Sequence, residues 1–197
     1  MEDLGVGSPN SDYWKTLGEG LVSLHACKGS SFGFLIDNYC GSTLQQNPTM
    51  KDGFEFFKEH RLISLATEAF DQQLLDMQDL KGIESIASNL ANLIPTQNPV
   101  VIHGDLWSGN VHCDKNGRPC LVDPATYWGW AEAELAMTEL FGSFNREFYE
   151  SYESASNIEK DWRERSPLYN LYHLLNHLIL FGPSYLGQIK SVTERFT

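Results

Sequence analysis

Residues 103–125 read His103-Gly104-Asp105-Leu106-Trp107-Ser108-Gly109-Asn110-Val111-His112-Cys113-Asp114-Lys115-Asn116-Gly117-Arg118-Pro119-Cys120-Leu121-Val122-Asp123-Pro124-Ala125. They follow Val100-Val101-Ile102, a short buried-strand signal, and they interrupt a chain that otherwise carries helical periodicity. Asn116-Gly117 is a strong two-residue hairpin signal, because both positions tolerate positive φ. If Lys115 and Arg118 close that turn, residue 114 faces 119, 113 faces 120, 111 faces 122, and Asn110 lies opposite Asp123. Pro119 then falls in a non-hydrogen-bonded pair, where its missing N–H costs nothing. Cys113 and Cys120 become cross-strand neighbours whose separation permits a disulfide. Packing as small hydrophobes beside Val111 and Val122 is the expectation instead.

The spacing His103-x-Asp105-x4-Asn110 is that of a kinase catalytic loop. In such a loop the Asp accepts the proton of a substrate hydroxyl and the Asn holds a Mg2+. A second Asp ligand should follow, and Asp123 is well placed. Two hard oxygen donors on adjacent strands suit Mg2+ ions that bridge the phosphates of ATP. His103, two residues before the base, is expected to brace the loop by hydrogen bonding rather than to react.

The chain has 197 residues, enough to bury a sizeable core, with 42% hydrophobic and 20% charged residues. Its formal net charge of −12 repels phosphate backbones and anionic membranes, so nucleic acid and membrane surfaces are poor partners. No stretch approaches a membrane span, and Met1-Glu2-Asp3 lacks the pattern of a secretory signal. Cys27, Cys40, Cys113 and Cys120 form neither CxxC spacing nor a dense framework, which reads as reduced thiols in a cytoplasmic protein.

Residues 1–10 read as a linker or flexible N-terminus. From Ser11, a helix is carried by Trp14, Leu17, Leu21 and Leu24, with Gly18 and Gly20 weakening it so that packing must hold it. Residues 29–50 read as an ordered loop. Asp52 with Glu55 opens a helix to about Leu65, and further helices are predicted at 66–77, 80–94, 130–142, 145–155, 166–181 and 185–196. The expected class is mostly α (α+β), a helical body with a small β-hairpin carrying the metal ligands. His173 and His177 lie four apart in one predicted helix, a spacing that could serve zinc, but no third ligand is apparent in the sequence. Gly29-Ser30-Ser31-Phe32-Gly33 lacks the Gly-Lys-Ser/Thr of a phosphate-cradling loop.

The octet 103–110, followed by Asp123-Pro124-Ala125, resembles the fructosamine (ketosamine) kinase family, a relative of the aminoglycoside phosphotransferases and choline kinases. Glu132-Ala133-Glu134-Leu135-Ala136-Met137, Leu140-Phe141-Gly142-Ser143-Phe144, Phe32-Gly33-Phe34, Asp37-Asn38-Tyr39, Phe56-Phe57 and His60-Arg61-Leu62 extend the resemblance from about Leu17 to the C-terminus. It implies the C-terminal lobe of a protein kinase-like fold over 11–197, with its catalytic loop at 103–110 and metal-binding hairpin at 110–123. It implies transfer of the γ-phosphoryl group of ATP to a sugar hydroxyl of a glycated amine. Asp105 is then the base, and Asn110 and Asp123 are the Mg2+ ligands. Trp107 is either a substrate-facing aromatic or core. Glu132 and Glu134 either line the amine end of the site or form a solvated helix face.

The sequence also departs from that pattern. Trp128-Gly129-Trp130 stands where the family usually has Tyr-Gly-His, and aromatic positions between Asn47 and Phe54 look lost, with Thr49 and Gly53 nearby. Nothing before Ser11 resembles the N-terminal lobe whose Lys and Gly-rich turn grip ATP, and Lys15 and Lys28 match no such strand. A lobe lacking that partner would expose apolar surface and tend to self-associate. A catalytically silent binding module, or a choline- or aminoglycoside-directed kinase, are the rival readings.

Overall fold

The computed structural model describes residues 3–197. Helix α1 (Tyr13–His25) buries Tyr13, Leu17, Leu21 and His25, the four-residue recurrence of one helix face. Gly18 lies on that face where α1 crosses α6 (Arg146–Ala155), against the Phe148 carbonyl. Helix α2 (Gly53–Phe57) starts at Asp52, whose side chain accepts the N–H groups of Phe54 and Glu55. It continues without a break through a π-helical stretch (Lys58–Ile63) into α3 (Ser64–Asp71), so the two helices expected here are one rod ending earlier than Met77. Helix α4 (Met77–Leu93) begins at Asp76, which forms a reciprocal capping box with Asp79. Helices α5 (Ala131–Leu140), α7 (Trp162–Phe181) and α8 (Leu186–Phe196) complete the body. No helix among the described residues is long and apolar enough to cross a membrane.

Among the described residues, three two-stranded antiparallel sheets are set into this body. Strands β1 (Asn38–Cys40) and β2 (Thr43–Gln45) form a hairpin inside the stretch expected to be loop, turning at Gly41-Ser42. Strand β3 (Val100–Ile102) pairs with β6 (Tyr127–Gly129). Between them, β4 (Val111–Cys113) pairs with β5 (Pro119–Leu121).

The β4–β5 register differs from the expected one by a single residue. Val111 faces Leu121, His112 faces Cys120 and Cys113 faces Pro119, so Cys113 and Cys120 are not partners, and both are free thiols. The turn is three residues long because the Asp114 carboxylate accepts the N–H groups of Asn116 and Arg118, closing the loop one residue sooner. Gly117 takes the left-handed position that this turn requires. Ladder bonds at 114/118 and 110/122 leave Cys113 and Pro119 as a non-hydrogen-bonded pair. The proline constraint is therefore met in both registers. Residues 4–10, expected to be a free linker, run along this hairpin instead. Lys115 N–H donates to the Leu4 carbonyl, Gly7 N–H to Cys113 and Asn10 N–H to Gly117.

The main core gathers α2–α4, α5, α7 and α8 around Leu62, Ile83, Ile86, Leu171 and Leu175. A second core joins α1, α5, α6 and the start of α7 through Leu21, Leu135, Phe148 and Trp162, and it includes Leu106 of the loop between β3 and β4.

Candidate active site

The loop leaves β3 at His103, and three groups fix its backbone. Glu134, in the first turn of α5, accepts the N–H of His103 on one carboxylate oxygen and the N–H of Gly104 on the other, at 3.1 Å. Gly104 has φ +85°, and a Cβ there would lie 2.1 Å from the Ala125 carbonyl oxygen, so no other residue fits. His103 Nε2 lies 2.9 Å from the Val122 carbonyl and Nδ1 accepts the Asp105 N–H at 3.3 Å. These two contacts fix the orientation of the ring between the loop and the β5 side of the hairpin. Leu106 is fully buried in the second core, an anchor of about 2–3 kcal/mol.

That framework holds Asp105 beside Asn110. The Asn110 amide donates to the Asp105 backbone carbonyl at 2.8 Å and to its carboxylate at 3.1 Å. With both amide hydrogens committed, Oδ1 is the atom left to ligate a cation. Burial pushes the Asp105 carboxyl up to about 6; His103 and Asn110 hold it down, while the negative charges of Asp123 and Glu134 push it further up. A carboxylate raised to that range is mostly ionised at neutrality yet close enough to it to accept a proton, the property asked of a general base.

Asn110 does not face Asp123 as the sequence suggested. The Val122 N–H donates to the Asn110 carbonyl at 3.0 Å, and Asp123 follows with φ +54°, turned out of the ladder and exposed to solvent. Asp tolerates this left-handed conformation better than most residues, although it remains strained. Asn110 and Asp123 are nonetheless both neighbours of Asp105, one through hydrogen bonds and the other through charge. An amide oxygen with an open carboxylate is a donor set suited to Mg2+, which keeps water and phosphate ligands of its own.

Two expectations need correction. Glu132 and Glu134 do not line an amine pocket, since each is only 1% exposed and already spoken for. Glu132 forms a double ion pair with Arg165 at 2.7 and 2.8 Å and accepts the Tyr169 hydroxyl, while Glu134 holds the loop. Of the two readings of Trp107, core is excluded: it is 38% exposed and meets Phe141 edge-on at 6.3 Å. Phe141 in turn packs against His177, so that histidine belongs to an aromatic wall. Trp130 is buried among Phe32, Phe54, Phe57 and Tyr169, which makes it a core residue. The Gly29–Gly33 stretch pairs its backbone with Pro99, Met50 and Trp128.

Sequence reasoning missed Asn38 and Gln45. The Asn38 amide donates to the Thr126 carbonyl and the Gln45 amide to the Ala125 carbonyl, while Tyr172 donates to Gln45. They brace the backbone just beyond Asp123. The signal was available, because Gly41-Ser42 between short alternating segments is a hairpin cue.

Comparison with known proteins finds several relatives. A probable ketoamine kinase of Synechocystis is 41% identical over 99% of the chain, which covers 66% of that protein. One from Vibrio parahaemolyticus is 45% identical over 87% of the chain and 59% of its own length. A chloroplastic protein-ribulosamine 3-kinase of Oryza sativa is 36% identical over the whole chain and 58% of its own length. The chain thus spans about two thirds or less of the length of these relatives. A crystal structure from Thermobifida fusca, named as a candidate fructosamine-3-kinase, superposes with a TM-score of 0.92 at 31% identity, over 98% of this chain and 68% of that one. The fructosamine kinase family model matches residues 1–197, taking in the loop, the hairpin and the brace from α5 alike, and the chain belongs to the fructosamine kinase family.

Proposed function

We propose that this chain carries the base and metal ligands of an ATP-dependent ketosamine kinase, in the manner of the C-terminal lobe of a protein kinase-like fold. The observation that carries the reading is Asp105, a partly buried carboxylate poised near pH 6 on a loop tied down by Glu134. Asp105 accepts the proton of a sugar hydroxyl on a glycated amine as that oxygen attacks the γ-phosphorus of ATP. Asn110 and Asp123 would hold Mg2+, which when bound neutralises charge on the phosphate oxygens. Trp107 offers its exposed face at the rim to the sugar or the amine.

Neither Lys15 nor Lys28 is among the partners of Asp105. Lys15 pairs with Glu19 on an exposed helix face, and Lys28 pairs its backbone with Val100. The larger clefts lie elsewhere, including a 430 Å³ groove lined by Val22, His25, Pro95 and Tyr152.

Calorimetry with Mg-ATP tests the reading. Magnesium-dependent binding is expected for the native chain and should vanish in Asp123→Ala, and glycated lysine should turn over in preference to choline or an aminoglycoside. Binding indifferent to Asp123, or preference for either rival substrate, would overturn it. Leu35, Ile36, Tyr39 and Leu44 are exposed at 92, 69, 62 and 51%, an apolar surface around β1–β2 through which the isolated chain would self-associate. Sedimentation velocity should show concentration-dependent dimers that Ile36→Lys disperses; a monomer at every concentration argues against the contact.

A further inference from the structure

One cluster of ligating side chains shares Asp105 with the chemistry above and adds two residues, Cys40 and His173, that the chemistry does not use. Cys40 at the end of β1, Asp105 of the loop and His173 in the middle of α7 each offer a ligand atom, and these atoms lie within 4.8 Å of one another. Cys40 is 2% and His173 5% exposed, and His173 Nδ1 finds no hydrogen-bond partner among the described residues. An unpaired imidazole nitrogen in the interior costs about 1–3 kcal/mol unless something occupies it.

We propose that Cys40, Asp105 and His173 form a Zn2+ site beneath the catalytic loop, and that its occupation inhibits the protein by withdrawing Asp105 from proton transfer.

The chemistry of the three donors selects the metal. A thiolate, an imidazole and a carboxylate form a mixed set that suits Zn2+ and is foreign to Mg2+, which asks for oxygen alone. Tetrahedral Zn2+ with these ligands needs donor atoms about 3.5 Å apart, so the site must close by roughly 1 Å, with a water in the fourth position. Charge also closes. Zn2+ balances one thiolate and one carboxylate, leaving a neutral cluster in a place where a net charge would be costly. Burial keeps the imidazole neutral, with its pKa lowered to about 3, and holds the Cys40 thiol protonated, its pKa pushed up to about 12. The ring is thus ready to ligate, while the thiol must give one proton to solvent as the metal enters. Arg61 is the opposing cation nearby, lowering both groups and disfavouring a further positive charge. Asp105 is the partly open member and marks the route of entry. His177, which the sequence offered as the second histidine, is not in the cluster; its Nδ1 lies against the His173 carbonyl at 2.9 Å.

The inhibition rests on the proposed function, but the binding does not, and a cobalt titration separates them. Co2+ added to the native chain should produce one equivalent of a near-ultraviolet thiolate-to-cobalt band, displaced by Zn2+. Cys40→Ser should abolish the band, and Asp105→Asn and His173→Gln should each weaken binding at least about tenfold, the loss of one ligand interaction. Cys27→Ser, Cys113→Ser and Cys120→Ser should leave it intact, and thermal melts confirm that each variant is folded. A band that survives Cys40→Ser, or that disappears with Cys113, overturns the site. So does no band at all, which would assign His173 to an internal water in the 10 Å³ void it shares with Gly104 and Tyr172. If the band follows Cys40 while no phosphoryl transfer is found, the metal site stands and the kinase reading fails.

Discussion

Asp105→Asn should lose turnover of a glycated amine by about 10²–10⁴-fold, the usual contribution of a positioned general base, and should melt at a higher temperature than the native chain. Both effects come from the same burial. In the folded chain the Asp105 carboxyl is raised to about 6, against 3.8 for the unsupported group. Between those values the folded state keeps a proton that the unfolded state has released. Stability therefore falls as pH rises through this window, and above pH 6 the protein carries a buried charge at a cost of about 1–3 kcal/mol. The asparagine variant escapes that cost. Its advantage should be absent below about pH 4, grow between 4 and 6 and stay constant beyond, on the basis of the two values above. Thermal unfolding across pH 3.5–8 measures it, independently of any activity. A variant equally stable at pH 8, or less so, would mean that Asp105 is not held against its preference. Turnover of the native protein should fall as pH drops through about 6, because only the carboxylate can accept the proton.

The largest loss of stability is expected from Arg165→Met. Arg165 joins α7 to α5 through both carboxylate oxygens of Glu132 and also reaches Glu159 and Asp161. The Arg165 and Glu132 side chains are 11% and 2% exposed, so the pair is withdrawn from water. Removing the guanidinium leaves the Glu132 carboxylate buried with the Tyr169 hydroxyl as its remaining named partner. An uncompensated buried charge of this kind costs about 3–5 kcal/mol, or roughly 10 °C in a chain of this size. Arg146→Met is the control: it breaks an ion pair with Glu150 whose side chains are 88% and 57% exposed, and it should change stability by less than about 1 kcal/mol. Indistinguishable melting of the two variants would refute this ranking. Glu132→Leu added to Arg165→Met should recover much of the loss, since the stranded charge leaves with it.

How far the sequence anticipated this structure depends on how local each signal was. Apolar recurrence at three and four residues places α1, α5, α6 and α8 within about two residues, because one buried face is enough to write the pattern. The start of α7 was misplaced because Pro167 reads as a first-turn residue, yet it sits inside a helix that begins at Trp162. The start of α4 was missed at Asp76, a cap whose partner at N3 is Asp79 rather than the Glu or Gln of the usual pattern. The hairpin slipped by one residue because Pro119 accepts either register, and what decides between them is a side chain, Asp114, bonding to backbone. At the candidate site, the spacing brought Asp105 and Asn110 together as expected, while Asp123 lies near Asp105 although the register that set it opposite Asn110 was one residue off. The employment of Glu132 and Glu134 is not legible, since a carboxylate on a helix looks the same in sequence whether it meets a substrate, an arginine or a loop. The meeting of Cys40 with His173 joins residues 133 positions apart, and no local pattern encodes it.

The hold of Glu134 on the loop also bears on how the protein moves. Loops that carry chemistry usually belong to the least stable parts of an enzyme and open many times before the molecule unfolds. Here the amide hydrogens of His103 and Gly104 end on a carboxylate that is itself fixed within α5, with His25 beside it and Tyr152 hydrogen-bonded to that histidine. Those amides cannot meet water until α5 lets go, and α5 is part of both cores. The start of the loop should therefore share the fate of the interior: the His103 and Gly104 amides are expected to exchange with the slowest class, opening only when the whole body does.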